Sequence, residues 1–175
     1  MKIRISFIKL ILLCAFIFPF TLNAQTDYRV QSMFIYNFTS MVNWPAAYQS
    51  GDFIMVSYGD GDMYAEFQTM ADRRSVGGRP IVARQVDNVN QISKCHIIYV
   101  PSRHYRRVGE IVNHLKANNI SALVVADARG SIRNGAVVNF TIQGGRQRFE
   151  ISENNARNLG LNLGGEIVRL GITMD

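Results

Sequence analysis

The sequence predicts one α/β domain, a mainly parallel sheet flanked by helices and completed by a C-terminal β-hairpin and helix. Three observations lead there. The runs His96–Val100 and Ser121–Ala126 are apolar without alternation, as strands buried on both faces are. Between such runs lie stretches with helical three- and four-residue spacing, so strand and helix alternate as in a parallel βαβ sheet. After Gly130 the pattern changes: Ala136–Ile142 and Arg146–Ile151 flank Gln143-Gly144-Gly145, a hairpin signature.

The first 24 residues read as a leader. Lys2, Arg4 and Lys9 precede or open an apolar run from Leu10 to Phe20, and small or polar residues follow to Ala24. The run is shorter than the roughly 20 residues of a membrane span. Export to the periplasm, with cleavage near Ala24 and no stable membrane insertion afterwards, is therefore expected. It leaves one domain over residues 25–175. Removing those three cations from the 19 basic residues leaves 16 against 13 acidic, a balance of +3, which calls for no nucleic-acid partner. With 47% apolar and 18% charged residues among 175, the chain is neither disordered nor low-complexity.

Along the mature chain, residues 28–44 carry Val30, Met33, Phe34, Phe38 and Met41 on one helical stripe, with Ile35, Tyr36 and Val42 beyond it. Two readings of that wide apolar arc stand side by side. The helix lies in a deep groove of its own domain, or its second edge, with Ile35 and Tyr36, forms a dimer interface. Trp44-Pro45 should end it, because the residue before proline resists helical backbone.

Phe53–Tyr58 then reads as a strand. Gly59-Asp60-Gly61-Asp62 turns it into a helix ending near Arg74, with the aspartates as acidic caps rather than a phosphate loop. Ile81–Val86 is a second strand, a short helical turn spans Val89–Ser93, and His96–Val100 is a third. Ser102 should cap a helix whose core stripe is Val108, Ile111, Val112 and Leu115. Ser121–Ala126 is the fourth strand. The hairpin follows, then a helix from Ser152 to about Leu159, and a tail over Ile167–Met174 that leans helical.

Few residues point to chemistry. His96, His104 and His114 lack metal-ligand spacing, no nucleophile elbow exists, and the leader's removal leaves Cys95 alone beside an apolar run. No catalytic residue, metal site or cofactor is expected. The one unusual cluster is cationic. Arg103, Arg106 and Arg107 stand at the start of the Ser102 helix, where the helix dipole disfavours positive charge, and Arg129 follows the next strand. If those strands are neighbours, the guanidiniums share one rim and suit an anionic ligand or an acidic partner patch. The plainer alternative is a solvated face.

Tyr36-Asn37-Phe38, Val42-Asn43-Trp44-Pro45, Gly77-Gly78-Arg79-Pro80-Ile81-Val82 and Cys95-His96-Ile97-Ile98-Tyr99-Val100 occur in order. Asp127, Gly130, Gly135, Val138-Asn139-Phe140, Arg146, Arg148-Phe149-Glu150-Ile151 and Leu170 continue the series. This ordered set resembles the YfiR-like periplasmic regulators over nearly all of residues 28–172. The resemblance implies a non-enzymatic exported regulator that acts on the periplasmic portion of an inner-membrane signalling protein such as a diguanylate cyclase, and so on cyclic-di-GMP signalling and biofilm. It also implies a homodimer. The chain departs from the better-known members in having one mature cysteine where they have pairs. A periplasmic binding module for a small anion, built on the arginine cluster, is the alternative function.

Overall fold

The computed structural model describes residues 27–174, so the expected leader lies outside the described residues. Helix α1 (Tyr28–Met41) is capped by the Asp27 carboxylate, which accepts from the Val30 amide at 3.1 Å. It stops short of Trp44 because Val42-Asn43 (β1) leaves as extended chain and pairs antiparallel with Asn162-Leu163 (β9). The main sheet is built from β2 (Phe53–Tyr58), β3 (Ser75–Val76), β4 (Arg79–Val86), β5 (Ile97–Val100) and β6 (Leu123–Ala126). It continues through β7 (Val138–Gln143), β8 (Arg146–Ile151) and β10 (Ile172–Thr173). Helices α2 (Gly61–Arg73) and α3 (Val108–Ala117) carry crossovers; α4 (Glu153–Asn158) and α5 (Gly165–Leu170) lie near the C-terminus.

Spatial order is β10-β8-β7-β6-β5-β2-β4-β3. Strands β4, β2, β5, β6 and β7 run parallel, while β8 returns antiparallel on β7. Every residue of β5 and β6 is fully buried, as their unbroken apolar composition requires. The hairpin turn places Gly144 and Gly145 at φ 58° and 72°, the left-handed pair that a two-residue turn between right-twisted strands needs. Ser152 caps α4 by accepting from the Asn155 amide at 3.1 Å. The tail is both helix and strand: α5 ends at Leu170, and β10 then pairs parallel with β8.

Helix α1 overturns part of the expected face. Its buried residues are Gln31, Ser32, Ile35, Phe38 and Thr39, whereas Met33 is 56% exposed. Ile35 has no exposure in its own domain, so it belongs to the core and not to a dimer interface. The polar residues on this buried face are nonetheless satisfied. Gln31 meets the Tyr99 hydroxyl, Thr39 donates to the Tyr36 carbonyl at 2.7 Å, and Ser32 donates to the Arg29 carbonyl at 2.9 Å. Phe38 then enters a cluster with Phe34, Phe140 and Phe149, at centroid distances of 5.0–6.3 Å, that fastens α1 to the hairpin. Replacing Phe38 with alanine should cost about 3–5 kcal/mol in urea unfolding.

His96 locks the other end of the sheet. Its ring stacks on Phe53 at 4.2 Å and meets the edges of Trp44 and Tyr48. Nδ1 accepts from the Ile54 amide at 3.1 Å, so Nε2 holds the proton and donates to the Tyr48 carbonyl at 2.9 Å. Burial lowers its pKa below the ordinary 6.5; the Tyr48 hydrogen bond opposes this, and Arg79 and Lys94 add to it. The unfolded chain thus takes up this proton before the folded one does. Stability from His96 is whole above pH 6.5 and falls as pH drops toward the depressed folded value. Urea unfolding at pH 7.5 and 5.5 should show a larger loss for the native protein than for His96→Gln; equal losses would refute the assignment.

Candidate functional site

The crossovers define where a site can lie. From β2 the chain passes through α2 to β4 on one side, then returns across β2 to reach β5 and β6 on the other. The loops after β2 and β5 therefore part in opposite directions at the carboxyl edge of the sheet, the place where open α/β sheets bind ligands. Here that crevice is occupied by the chain's own side chains.

Asp60, directly after β2, is fully buried. Its Oδ1 accepts from the Asp62 and Met63 amides at 2.9 and 3.2 Å, capping α2 as the acidic turn predicts. Its Oδ2 accepts from the Tyr28 hydroxyl at 3.0 Å and faces the Arg103 guanidinium at 3.5 Å. Arg103 also donates to the Gly59 carbonyl. Gly59 sits at φ 59°, and a β-carbon there would come within 2.6 Å of His104 Nε2, so only glycine fits under the imidazole.

Beside this group, the Tyr99 hydroxyl lies 2.8 Å from Asp127 Oδ2 and 3.0 Å from the Gln31 side-chain oxygen. With one proton to give, it donates to the charged carboxylate. Burial raises the Asp127 pKa; the bonds from Tyr99 and the Ser102 backbone pull it down, and the charge of Asp60 pushes it up. The other Asp127 oxygen is buried without a partner. Burial, with the hydrogen bond to Asp60 second, lifts Tyr28 to about 12, and burial with the Asp127 charge raises Tyr99 still further. Both phenols therefore stay protonated, as donors. The result is two phenol–carboxylate pairs, Tyr28–Asp60 and Tyr99–Asp127, whose rings meet edge to face at 6.2 Å and which together clamp the first turn of α1 over the strand ends.

The cationic cluster is placed differently from the expectation. Strands β5 and β6 are neighbours, which puts the Arg103 and Arg129 loops on one edge. Residues Ser102–Arg107, however, form a 3-10 segment, and the α-helix begins only at Val108. Pro101 stands at the head of that segment and Ser102 makes no capping bond. The arginines thus precede the helix dipole instead of opposing it within the first turn. Arg103 is turned onto Asp60, Arg107 pairs with Glu110 at 2.6 Å, and Arg106 lies over the Tyr105 ring. Arg129 is exposed.

Among the other expected residues, Tyr36 is half-buried on the surface of α1, its hydroxyl donating to the Ser75 carbonyl at 3.0 Å. Cys95 is fully buried, and burial pushes its thiol up to about 12, which makes it a poor nucleophile. No group of three or more potential metal ligands occurs among the described residues. Sequence reading missed Tyr28, Gln31, Tyr99 and Asp127. The available signal was that Asp60 and Asp127 each end a strand-to-loop step at the same sheet edge.

The clamp's energetic weight is testable. Asp60→Ala removes a helix cap and a charged hydrogen-bond acceptor and should cost about 2–4 kcal/mol in urea unfolding. Arg106→Ala, on the open surface, should stay within about 0.5 kcal/mol; similar losses for both would deny Asp60 its role.

Comparison with known proteins agrees with this architecture. A crystal structure of a conserved domain protein from Vibrio cholerae O1 biovar El Tor superposes with a TM-score of 0.58 at 11% identity. The match covers 86% of this chain and 60% of that one, and it bears on the fold alone. No curated protein matches the sequence significantly. The profile of the YfiR/HmsC-like family matches residues 28–171, spanning the domain from the first residue of α1 to the end of α5. The chain belongs to the YfiR/HmsC-like family.

Proposed function

We propose that this chain is an exported regulator that acts by protein–protein contact, engaging the periplasmic portion of an inner-membrane signalling protein. A diguanylate cyclase is the partner class that family membership suggests, with cyclic-di-GMP signalling and biofilm as the output. The observation that carries the proposal is the family match over residues 28–171. The leader-like first 24 residues support export, and no helix among the described residues is long and apolar enough to cross a membrane.

The state of the switch-point crevice adds to this reading. Tyr28, Asp60, Arg103, Tyr99 and Asp127 are already engaged with one another there. Arg103 and Arg107, two of the four arginines on which small-anion capture would depend, are committed to carboxylates of the chain itself. Recognition is thereby directed to the outer surfaces of the helices.

Mild crosslinking in intact envelopes, followed by purification and mass spectrometry, should recover an inner-membrane protein with a periplasmic portion. N-terminal sequencing of the mature chain should begin near residue 25. Recovery of the protein from the cytoplasm with its leader uncut, or with no membrane partner, would overturn the proposal.

A further inference from the structure

We infer that the groove between α1 and α2 is the docking site for an acidic segment of the partner protein bearing an apolar side chain. This rests on the reading above and names the surface it would use.

Helical spacing builds the groove. Arg29, Met33 and Tyr36 recur along one edge of α1, and Glu66, Met70 and Arg73 recur along the facing edge of α2. The space between is about 250 Å³. Met70 is buried, whereas Met33 is the most exposed large apolar side chain among the described residues. An unbranched thioether at that position can mould itself to an incoming side chain. The Tyr36 wall is fixed: its hydroxyl is held by Ser75, and the Arg74 guanidinium lies 4.6 Å above its ring. A second hollow continues along α1 past Tyr36 toward Asn37, Ser40 and Gly77, giving room for a segment instead of a single side chain.

Charge selects the occupant. Three arginines border the groove, and its one acid, Glu66, lies 3.3 Å from Ser32 Oγ. None of the three ion pairs found among the described residues involves Arg29, Arg73 or Arg74. Guanidinium groups favour bidentate contact with carboxylates, and Arg, Tyr and Met are the residues enriched at the centres of protein interfaces. The concave shape suits a protruding segment better than the flat face of a bilayer. Basic rims around an apolar centre therefore match an acidic segment with an apolar tip.

The test uses the exported protein in intact envelopes, with a photo-crosslinking amino acid at position 33 and, separately, at position 143 on the hairpin. Position 33 should crosslink to a membrane protein, at a stretch rich in Asp and Glu. The double change Arg29→Glu and Arg73→Glu should cut that yield by about tenfold or more without lowering the melting temperature. Crosslinking to a membrane protein from position 143 alone would overturn this site while leaving the proposed function standing. Crosslinking from position 33 only to a second copy of the chain would make the groove a dimer seam and overturn the partner segment. No crosslink from either position would remove both proposals, and a yield indifferent to charge reversal would refute the acidic occupant.

Discussion

A carboxylate with no contact to water must be surrounded by donors, and that requirement organises this domain around Asp60. Left unpaired, such a group would cost several kcal/mol. Its partners come from three separate pieces of chain: the first amides of α2, the Tyr28 hydroxyl on α1, and the Arg103 guanidinium after β5. Satisfying one buried charge therefore sets where α2 begins, where the N-terminal end of α1 rests, and which way the segment after β5 turns. The second carboxylate, Asp127, extends the arrangement through Tyr99 to Gln31, one turn further along α1. The orphaned oxygen of Asp127 marks where the satisfaction is incomplete.

The consequence for function lies in what this network displaces. In an open α/β sheet the switch point is a natural ligand crevice, yet here a helix from the start of the domain covers it with its own polar groups. Burying Gln31 and holding the half-buried Tyr28 against the strand ends rolls α1 about its axis, and the same rotation sends Ile35 inward and Met33 outward. An interior polar network thus produces an exterior apolar feature. The exposed methionine is the far side of a helix whose near side is occupied by hydrogen bonds.

Much of the fold was legible because it follows from short-range pattern. The strands Ile97–Val100 and Leu123–Ala126 announce themselves as unbroken apolar runs and Phe53–Tyr58 as a run broken only by Ser57, and the Gly144-Gly145 turn needs a left-handed backbone that glycine supplies. The Asp60 cap was readable from the acidic turn after a strand. The family resemblance, carried by an ordered series of motifs, holds over residues 28–171. The face of α1 was not legible: hydrophobic spacing treats Gln31, Ser32 and Thr39 as exterior, yet Ser32 and Thr39 satisfy their hydroxyls on carbonyls of their own helix and Gln31 lies against Tyr99, 68 positions later. Arg103 reads as a free cation because Asp60, 43 positions earlier, is brought beside it only by the pairing of β2 with β5.

By itself the sequence determined the fold class, the positions of nearly all the elements and the burial of Cys95, because these depend on composition and periodicity within a few turns of chain; the family came from motifs in order along the whole domain. Tertiary structure alone decided which side of α1 faces the sheet, which arginines are neutralised, and how the crevice at the strand ends is filled. Those outcomes turn on satisfying buried polar groups, and the groups that satisfy them lie tens of residues away.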